Sequence, residues 1–306
     1  MILNVSGRTD IPAFYSDWFY NRIKAGFLLV RNPYYPTELI HIDLDPKTID
    51  LIAFCTKNPR PMFKRLDELK DFRTYFMITI TPYDRDLEPN VPKVKEIVKD
   101  ILYLSEYYGK DHVAIRYDPI IVNQKYTINY HIHCFEALLK VLSNRVEECI
   151  ISFVDLYQKS EIYEEVKLED RILIAKEFAK IGKKYHIRIK TCAEMSYEKY
   201  GIEKSGCLSV QVVERLINTN IIEISHIPSR THCNCIPSRD IGEYDTCLHQ
   251  CRYCYATDHH AAFQNYLKHD PDSPLLIGEI QESDKIRKIK QTSLIDPQLS
   301  LFWGDL

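Results

Sequence analysis

A chain of 306 residues that is 45% hydrophobic and 27% charged has the composition of a globular protein with one sizeable core, or of two ordinary domains. Its formal charge of −3 supplies no overall positive field to draw it to nucleic acid or anionic lipid. The opening MILNVSGRTD is too short in apolar residues for a signal-peptide core, and no apolar stretch approaches the roughly 20 residues that span a bilayer. The expectation is a cytoplasmic protein with no membrane contact, whose ten cysteines serve as metal ligands or buried thiols in preference to disulfides.

Along the chain, short β-rich runs alternate with longer helical patterns. Strands are predicted at 2–5, 51–55, 75–80, 112–117, 149–154, 186–192 and 221–225, with an inserted hairpin at 27–42 around Asn32-Pro33. Val94, Ile97, Val98, Ile101 and Tyr108 have helical spacing between Pro92 and Gly109. Ile128, Ile132, Phe135, Leu139 and Leu142 repeat it behind a Thr127 N-cap, and Leu168, Ile172, Ala175 and Ala179 do so again. This alternation implies parallel strands with crossover helices, so the expected fold is α/β, a whole or partial (β/α) barrel of TIM type. Residues 1–226 form that barrel in this reading, 227–270 a cysteine-rich loop and helix closing it, and 271–306 a C-terminal tail. The basic run from Lys285 to Lys290 reads as a solvated face.

Several strands carry polar residues at every second position. Arg116 and Asp118 interleave with Ile115 and Tyr117, Lys190 with Ile187 and Ile189, Glu223 with Ile222 and Ile224, and Thr79 and Thr81 with Ile78 and Ile80. With the apolar set under the outer helices, the polar set points inward, which predicts a wet, charged lumen. An antiparallel sheet with one solvated face would alternate in the same way, but helix-length connections favour the barrel. Arg116, Asp118, Lys190 and Glu223 are expected to line a cavity opening toward the cysteine loop. Active groups in barrels sit at the C-terminal strand ends, which here carry Arg8, Asp10, Lys57, Arg116, Asp118, Lys190, Glu194 and His226. The first seven are the candidates for binding polar groups of a substrate or cofactor, although a strand-end Asp also serves as an N-cap and an Arg–Asp pair as a structural tie.

The cysteines divide into groups. Cys247, Cys251 and Cys254 stand as CLHQCRYC; three thiolates at this spacing hold three irons of a [4Fe–4S] cluster and leave the fourth open, whereas a structural zinc site wants four ligands in pairs. Cys192, Cys207, Cys233 and Cys235 are the set for an all-cysteine site, either a second cluster or zinc. Cys55, Cys134 and Cys149 read as small buried hydrophobes. His249, His259 and His260 lie beside the triplet as donors to it or as ordinary helix-start residues, and the following helix carries Phe263, Tyr266 and Leu267 on one face.

The segment CLHQCRYCYA resembles the C-x3-C-x-aromatic-C motif of radical S-adenosylmethionine (SAM) enzymes, including the tyrosine-rich version of spore photoproduct lyase. The wider pattern comprises SGRTDIPAFY from Ser6, TKNP from Thr56, RYDPI from Arg116, CAE from Cys192 and CNC-x11-C-x3-C-x2-CYA from Cys233. It resembles an uncharacterised prokaryotic family whose C-terminal cysteine cluster is like the N-terminal cluster of radical SAM proteins. The resemblance implies a radical SAM core and a cluster whose open iron chelates SAM. It also implies formation of a 5′-deoxyadenosyl radical acting on a polar substrate, and a reductant such as ferredoxin or flavodoxin. Two departures stand out. The triplet follows the last strand instead of the first, which a circularly permuted barrel reconciles, and the Gly-Gly-Glu segment that helps hold SAM is absent. The alternatives are an electron-transfer or structural iron–sulfur protein, with Cys233 or Cys235 completing the main cluster, and a zinc-stabilised nucleic-acid-binding protein.

Overall fold

The computed structural model describes residues 1–162, 164–224 and 232–295. The chain opens with β1 (Ile2–Val5), a short α1 (Ile11–Phe14) and α2 (Ser16–Ala25), then the antiparallel hairpin β2 (Phe27–Arg31) and β3 (Glu38–Asp43). There follow β4 (Leu51–Thr56), β5 (Thr74–Thr79), α3 (Val94–Tyr108), β6 (Val113–Ile120), α4 (Ile128–Leu142), β7 (Glu148–Phe153), α5 (Leu168–Tyr185) and β8 (Arg188–Thr191). The last third holds β9 (Glu203–Lys204), α6 (Val210–Ile217), β10 (Arg239–Asp240), α7 (His259–Tyr266) and β11 (Lys285–Lys288). The helix limits follow from local chemistry. Thr127 accepts a hydrogen bond from Tyr130 N to start α4, Ser209 from Val212 N to start α6, and Gly109 ends α3 at φ 94°.

Eight strands form one sheet in the order β10-β1-β4-β5-β6-β7-β8-β9, and every adjacent pair is parallel. With β9 and β10 at its two ends, the sheet is an α/β fold consistent with a partial TIM-like barrel. The hairpin and β11 make a separate three-stranded sheet, so residues 285–288 are an exposed edge strand whose Arg287 and Lys288 pair with Glu38 and Asp43. Residues 271–284, expected as tail, pack back onto the N-terminal half: Leu275 and Leu276 are buried, and Trp18 Nε1 donates to Ser273 O at 2.9 Å.

Of the strand expected at 221–225, the described residues 221–224 form none. Ile221 makes only an isolated antiparallel bridge to Ile295, and Glu223 is exposed; Ser225 and His226 lie outside the described residues. Ile221 and Ile224 instead pack against the inner-face core beside α6, while Ile222 is exposed, so the apolar residues of this run do not share one sheet face. Two-residue strands, β9 and β10, occupy the ends of the sheet, and elements that short show no period.

The two faces of the sheet differ. On the outer face Val5, Phe54, Phe76, Ile115, Tyr117 and Ile151 join the cores of α2, α3, α4 and α5, each side chain contributing about 1.5–3 kcal/mol by burial. On the inner face Ile2, Leu51, Ala53, Tyr75, Met77, Ala114 and Ile150 are covered by Val212, Val213, Leu216 and Ile217 of α6. The alternating strands are therefore phased as expected, with the more polar set inward, but α6 fills this half of the interior and it is not a wet lumen. The inward charges near the N-terminal strand ends converge on Glu148, which is 1% exposed. Lys190 Nζ reaches it at 2.9 Å, Arg188 at 3.3 Å and Arg215 of α6 at 3.4 Å, and the Tyr75 hydroxyl donates to it. Burial alone would raise the Glu148 pKa, but Lys190, Tyr75 and Arg215 outweigh it and hold the carboxyl below its ordinary value.

Two cysteine centres as the candidate functional site

Strand β10 lies parallel to β1, Leu3 opposite Arg239 and Asn4 opposite Asp240. The chain then passes directly to the loop of Cys247, Cys251 and Cys254. Gly7 makes the junction: its N–H donates to Asp240, and a Cβ there would come within 2.7 Å of Asp240 Oδ2. From this edge the loop crosses the C-terminal rim of the sheet. It meets the connection after β1 through Asp10 and His249, and the one after β5 through Asn90, whose N–H donates to His249 O at 3.1 Å and side chain to Leu248 O at 2.8 Å. It also meets the connection after β7, where Arg252 pairs with Glu161 at 2.7 Å and Asp245 with Lys159 at 2.6 Å.

Beneath the loop is a buried polar network. Asp10 accepts from Ala13 N at 3.1 Å, Thr56 Oγ1 at 2.6 Å and Lys57 N at 2.8 Å, and His249 Nε2 lies 2.8 Å from its Oδ2. Lys57 Nζ donates to Glu88 Oε1 at 2.9 Å and Thr81 Oγ1 at 3.1 Å and stands 5.7 Å from the centre of the Tyr253 ring; the Tyr253 hydroxyl donates to Glu88 as well. Burial opposes the charge of Lys57, yet Glu88 and the neighbouring Cys251 raise its pKa. Burial pushes the thiols of Cys247 and Cys251 up; Asp10 and the companion cysteines push Cys247 further, while Lys57 draws Cys251 down. Three cysteines on one loop, with the thiols of Cys247 and Cys251 pushed up by burial, form a site that suits a positively charged body.

The seven proposed cofactor-binding residues separate into different surroundings. Arg8 reaches Asp240 at 3.3 Å and lies over the Tyr244 ring. Asp10 and Lys57 belong to the network under the triplet. Arg116 pairs with Asp118 and donates from Nη1 to Cys207 Sγ at 3.1 Å. Lys190 points away from the rim into the Glu148 network, and Glu194 is buried, accepting from Phe153 N at 2.7 Å and Ser152 Oγ at 3.1 Å. With Lys190 engaged there and Glu223 exposed, the four residues expected to line one cavity do not converge. A cavity of about 590 Å³ lies instead outside the sheet, between α3 and α4, lined by Thr81, Tyr83, Glu88, Tyr117, Tyr130 and Cys134 among others.

The second centre is on the inner face. Cys192 Sγ is 3.7 Å from Cys235 Sγ, the sulfurs of Cys192, Cys207 and Cys235 all lie within 4.8 Å of one another, and Cys233 is in hydrogen-bonding contact with Cys192 and Cys235. Cys192, Cys207 and Cys233 are buried and Cys235 half-buried. This group is able to hold a metal ion or an iron–sulfur cluster. Cys55, read as a small hydrophobe, stands close enough to Cys207 and Arg116 to feel both charges.

An all-parallel sheet with cysteine groups on its rim and inner face defines the class: a partial (β/α) barrel protein with a candidate thiolate metal site. Residues 2–256 match the family described as Domain of unknown function (DUF1848), and the chain belongs to that family. No curated protein matches it. Among solved structures, a putative alpha-L-fucosidase from Bacteroides thetaiotaomicron is similar at 11% identity over 57% of this chain and 86% of that one, with a TM-score of 0.23, too slight a likeness to support any argument.

Glu88 and Glu148 are the site residues that sequence reasoning missed. Glu88 sits in the acidic stretch Asp84-Arg85-Asp86-Leu87-Glu88 just past a strand end, and that position was its signal. Glu148 begins a strand of mostly apolar residues, where a lone inward acid calls for a cation from another element.

Proposed function

We propose that the protein is an iron–sulfur enzyme of radical SAM type, with the cluster held by Cys247, Cys251 and Cys254. One observation carries the reading: the triplet follows β10, the edge strand beside β1, and its loop lies over the C-terminal ends of the parallel strands. In spatial order the triplet thus comes after the first strand, as in the enzymes its sequence resembles, and a circular permutation accounts for its late position in the chain. The donor set fits: three thiols at C-x3-C-x2-C spacing on one loop, with a buried cation at Lys57 beside Cys251. When bound and reduced, such a cluster supplies the electron that cleaves SAM to a 5′-deoxyadenosyl radical. The chain's own residues have separate tasks. His249, tied by Asp10, fixes the turn between the first two cysteines, and its buried Nδ1 has no partner, leaving a nitrogen available to a ligand. Lys57 and Glu88 anchor Tyr253 and with it the last two cysteines, and Arg8 and Asp118 stand at the rim as candidates for polar groups of SAM or substrate. A small reductant protein, such as a ferredoxin or flavodoxin, would approach the loop from outside.

Anaerobically reconstituted protein is expected to contain a [4Fe–4S] cluster whose reduced electron paramagnetic resonance spectrum shifts on adding SAM, and to release 5′-deoxyadenosine slowly with reductant. An intact reduced cluster giving neither signal would overturn the enzyme reading in favour of electron transfer or a structural role.

A further inference from the structure

We propose that Cys192, Cys207, Cys233 and Cys235 bind a single zinc ion in a closed tetrahedral site, separate from the triplet and structural in role. The spacing of the sulfurs is the first ground. Tetrahedral bonds of about 2.3 Å put neighbouring sulfurs roughly 3.8 Å apart; Cys192 and Cys235 stand at 3.7 Å, and Cys207 lies within 4.8 Å of both. That separation is far longer than the ~2.05 Å of a disulfide and too compact for the corners of a cubane. Cys233, in hydrogen-bonding contact with Cys192 and Cys235, supplies the fourth thiol beside this group of three, and a divalent cation would take the place of the thiol protons.

The backbone is built to bring them together. Cys192 follows β8, and Ala193 turns the chain at once with φ 57°. β9 pairs with β8 and returns the chain to Ser205, whose N–H donates to Thr191 O at 3.2 Å, so Cys207 arrives beside Cys192. Gly206 then packs on the peptide between Asn234 and Cys235, where a Cβ would meet backbone atoms at 2.6 Å; only glycine lets the two segments approach this closely. Ile236 N donates to Leu208 O at 2.9 Å and locks the pair of loops. A tetrathiolate zinc site is negatively charged, and the Arg116 guanidinium donates to Cys207 Sγ from the sheet below, so Arg116 is a positioning residue for this centre. All four coordination positions come from protein, which leaves none for a substrate. The ion would join the end of β8, the β9–α6 connection and the loop at 232–236, holding α6 across the inner face.

X-ray absorption at the zinc edge of the full-length protein tests this. The expected result is one zinc per chain with four sulfurs near ~2.3 Å, retained in a variant with Cys247, Cys251 and Cys254 all changed to Ala. Zinc lost with the triplet, iron–iron scattering at the iron edge of that variant, or a zinc shell with nitrogen or oxygen would each overturn it. Because removing a ligand can prevent folding, Cys233→His is the second variant. It should convert the shell to three sulfurs and one nitrogen, and an unchanged four-sulfur shell would overturn the ligand assignment. Arg116→Met should speed zinc transfer to a chelator by about 10-fold or more while Arg116→Lys retains part of the effect; equal rates in all three proteins would remove Arg116 from the site.

Discussion

The two cysteine centres are assembled in opposite ways. Cys247, Cys251 and Cys254 come from one loop, and Asp10, Lys57, Glu88 and His249 fix that loop from below. The other four come from three segments separated by up to 43 positions, their sulfurs crowd together, and one guanidinium attends them. The difference teaches that local spacing alone sets three thiols on one rim loop, whereas a compact thiol group drawn from three segments depends on where the sheet brings its strand ends.

That contrast breaks most visibly in stability. In iron-free, zinc-loaded protein, Cys192→Ala is expected to lower the unfolding free energy by at least about 5 kcal/mol, since structural zinc contributes on the order of 10–16 kcal/mol of apparent binding energy in small domains. Changing all three triplet cysteines to Ala in the same iron-free state should cost about 1–3 kcal/mol, the range of modest core truncations. Urea unfolding of both variants checks this, and equal losses would erase the distinction between a structural and a functional centre.

A smaller effect probes the anchoring of the triplet loop. Glu88→Gln leaves Lys57 buried without its carboxylate and should destabilise by about 3–5 kcal/mol. Adding Lys57→Met to it should recover part of that loss, because the two side chains act as a unit. A loss below about 1 kcal/mol in the single variant would mean that solvent screens the pair.

The smallest effect sharpens the comparison through pH. Burial pushes Glu243, in the connection from β10 to the triplet, up from 4.5 to about 7, against the pull of Arg31 and Arg8. The folded state therefore keeps a proton that the unfolded chain releases, so stability is lost as pH rises from 4.5 to about 7. Glu243→Gln should stabilise the protein at pH 8 by about 1–3 kcal/mol and have little effect at pH 4. Urea midpoints measured at the two pH values read this directly, and a variant that gains nothing at pH 8 would show that Glu243 ionises without penalty.

Much of the frame was legible because it is periodic. The runs that became β1, β4, β5, β6, β7 and β8 are short and rich in apolar and β-branched residues, and α3, α4 and α5 carry helical spacing between recognisable caps such as Thr127 and Gly109. The inward phase of Arg116 and Lys190 was legible for the same reason. Where each charge ends was not: Lys190 meets Glu148 and Arg215, partners that share no local pattern with it. Nor did the sequence reveal β9 and β10, because two residues carry no period, or that Ile221 and Ile224 serve α6 and not the sheet.

By itself, then, the sequence determined what depends on neighbours in the chain: strand and helix identity, and the C-x3-C-x2-C spacing that sets three thiols on one loop. Tertiary structure decided what depends on distant approach. It set β10 beside β1, so that a triplet late in the chain lies over the C-terminal ends of strands formed early in it. It packed α6 across the inner face, and through Gly206 it drew Cys192, Cys207, Cys233 and Cys235 into contact. The physical reason is range: backbone propensity and side-chain period act over a few residues, whereas sulfur–sulfur contact and ion pairing depend on distance in space, which only the completed sheet specifies.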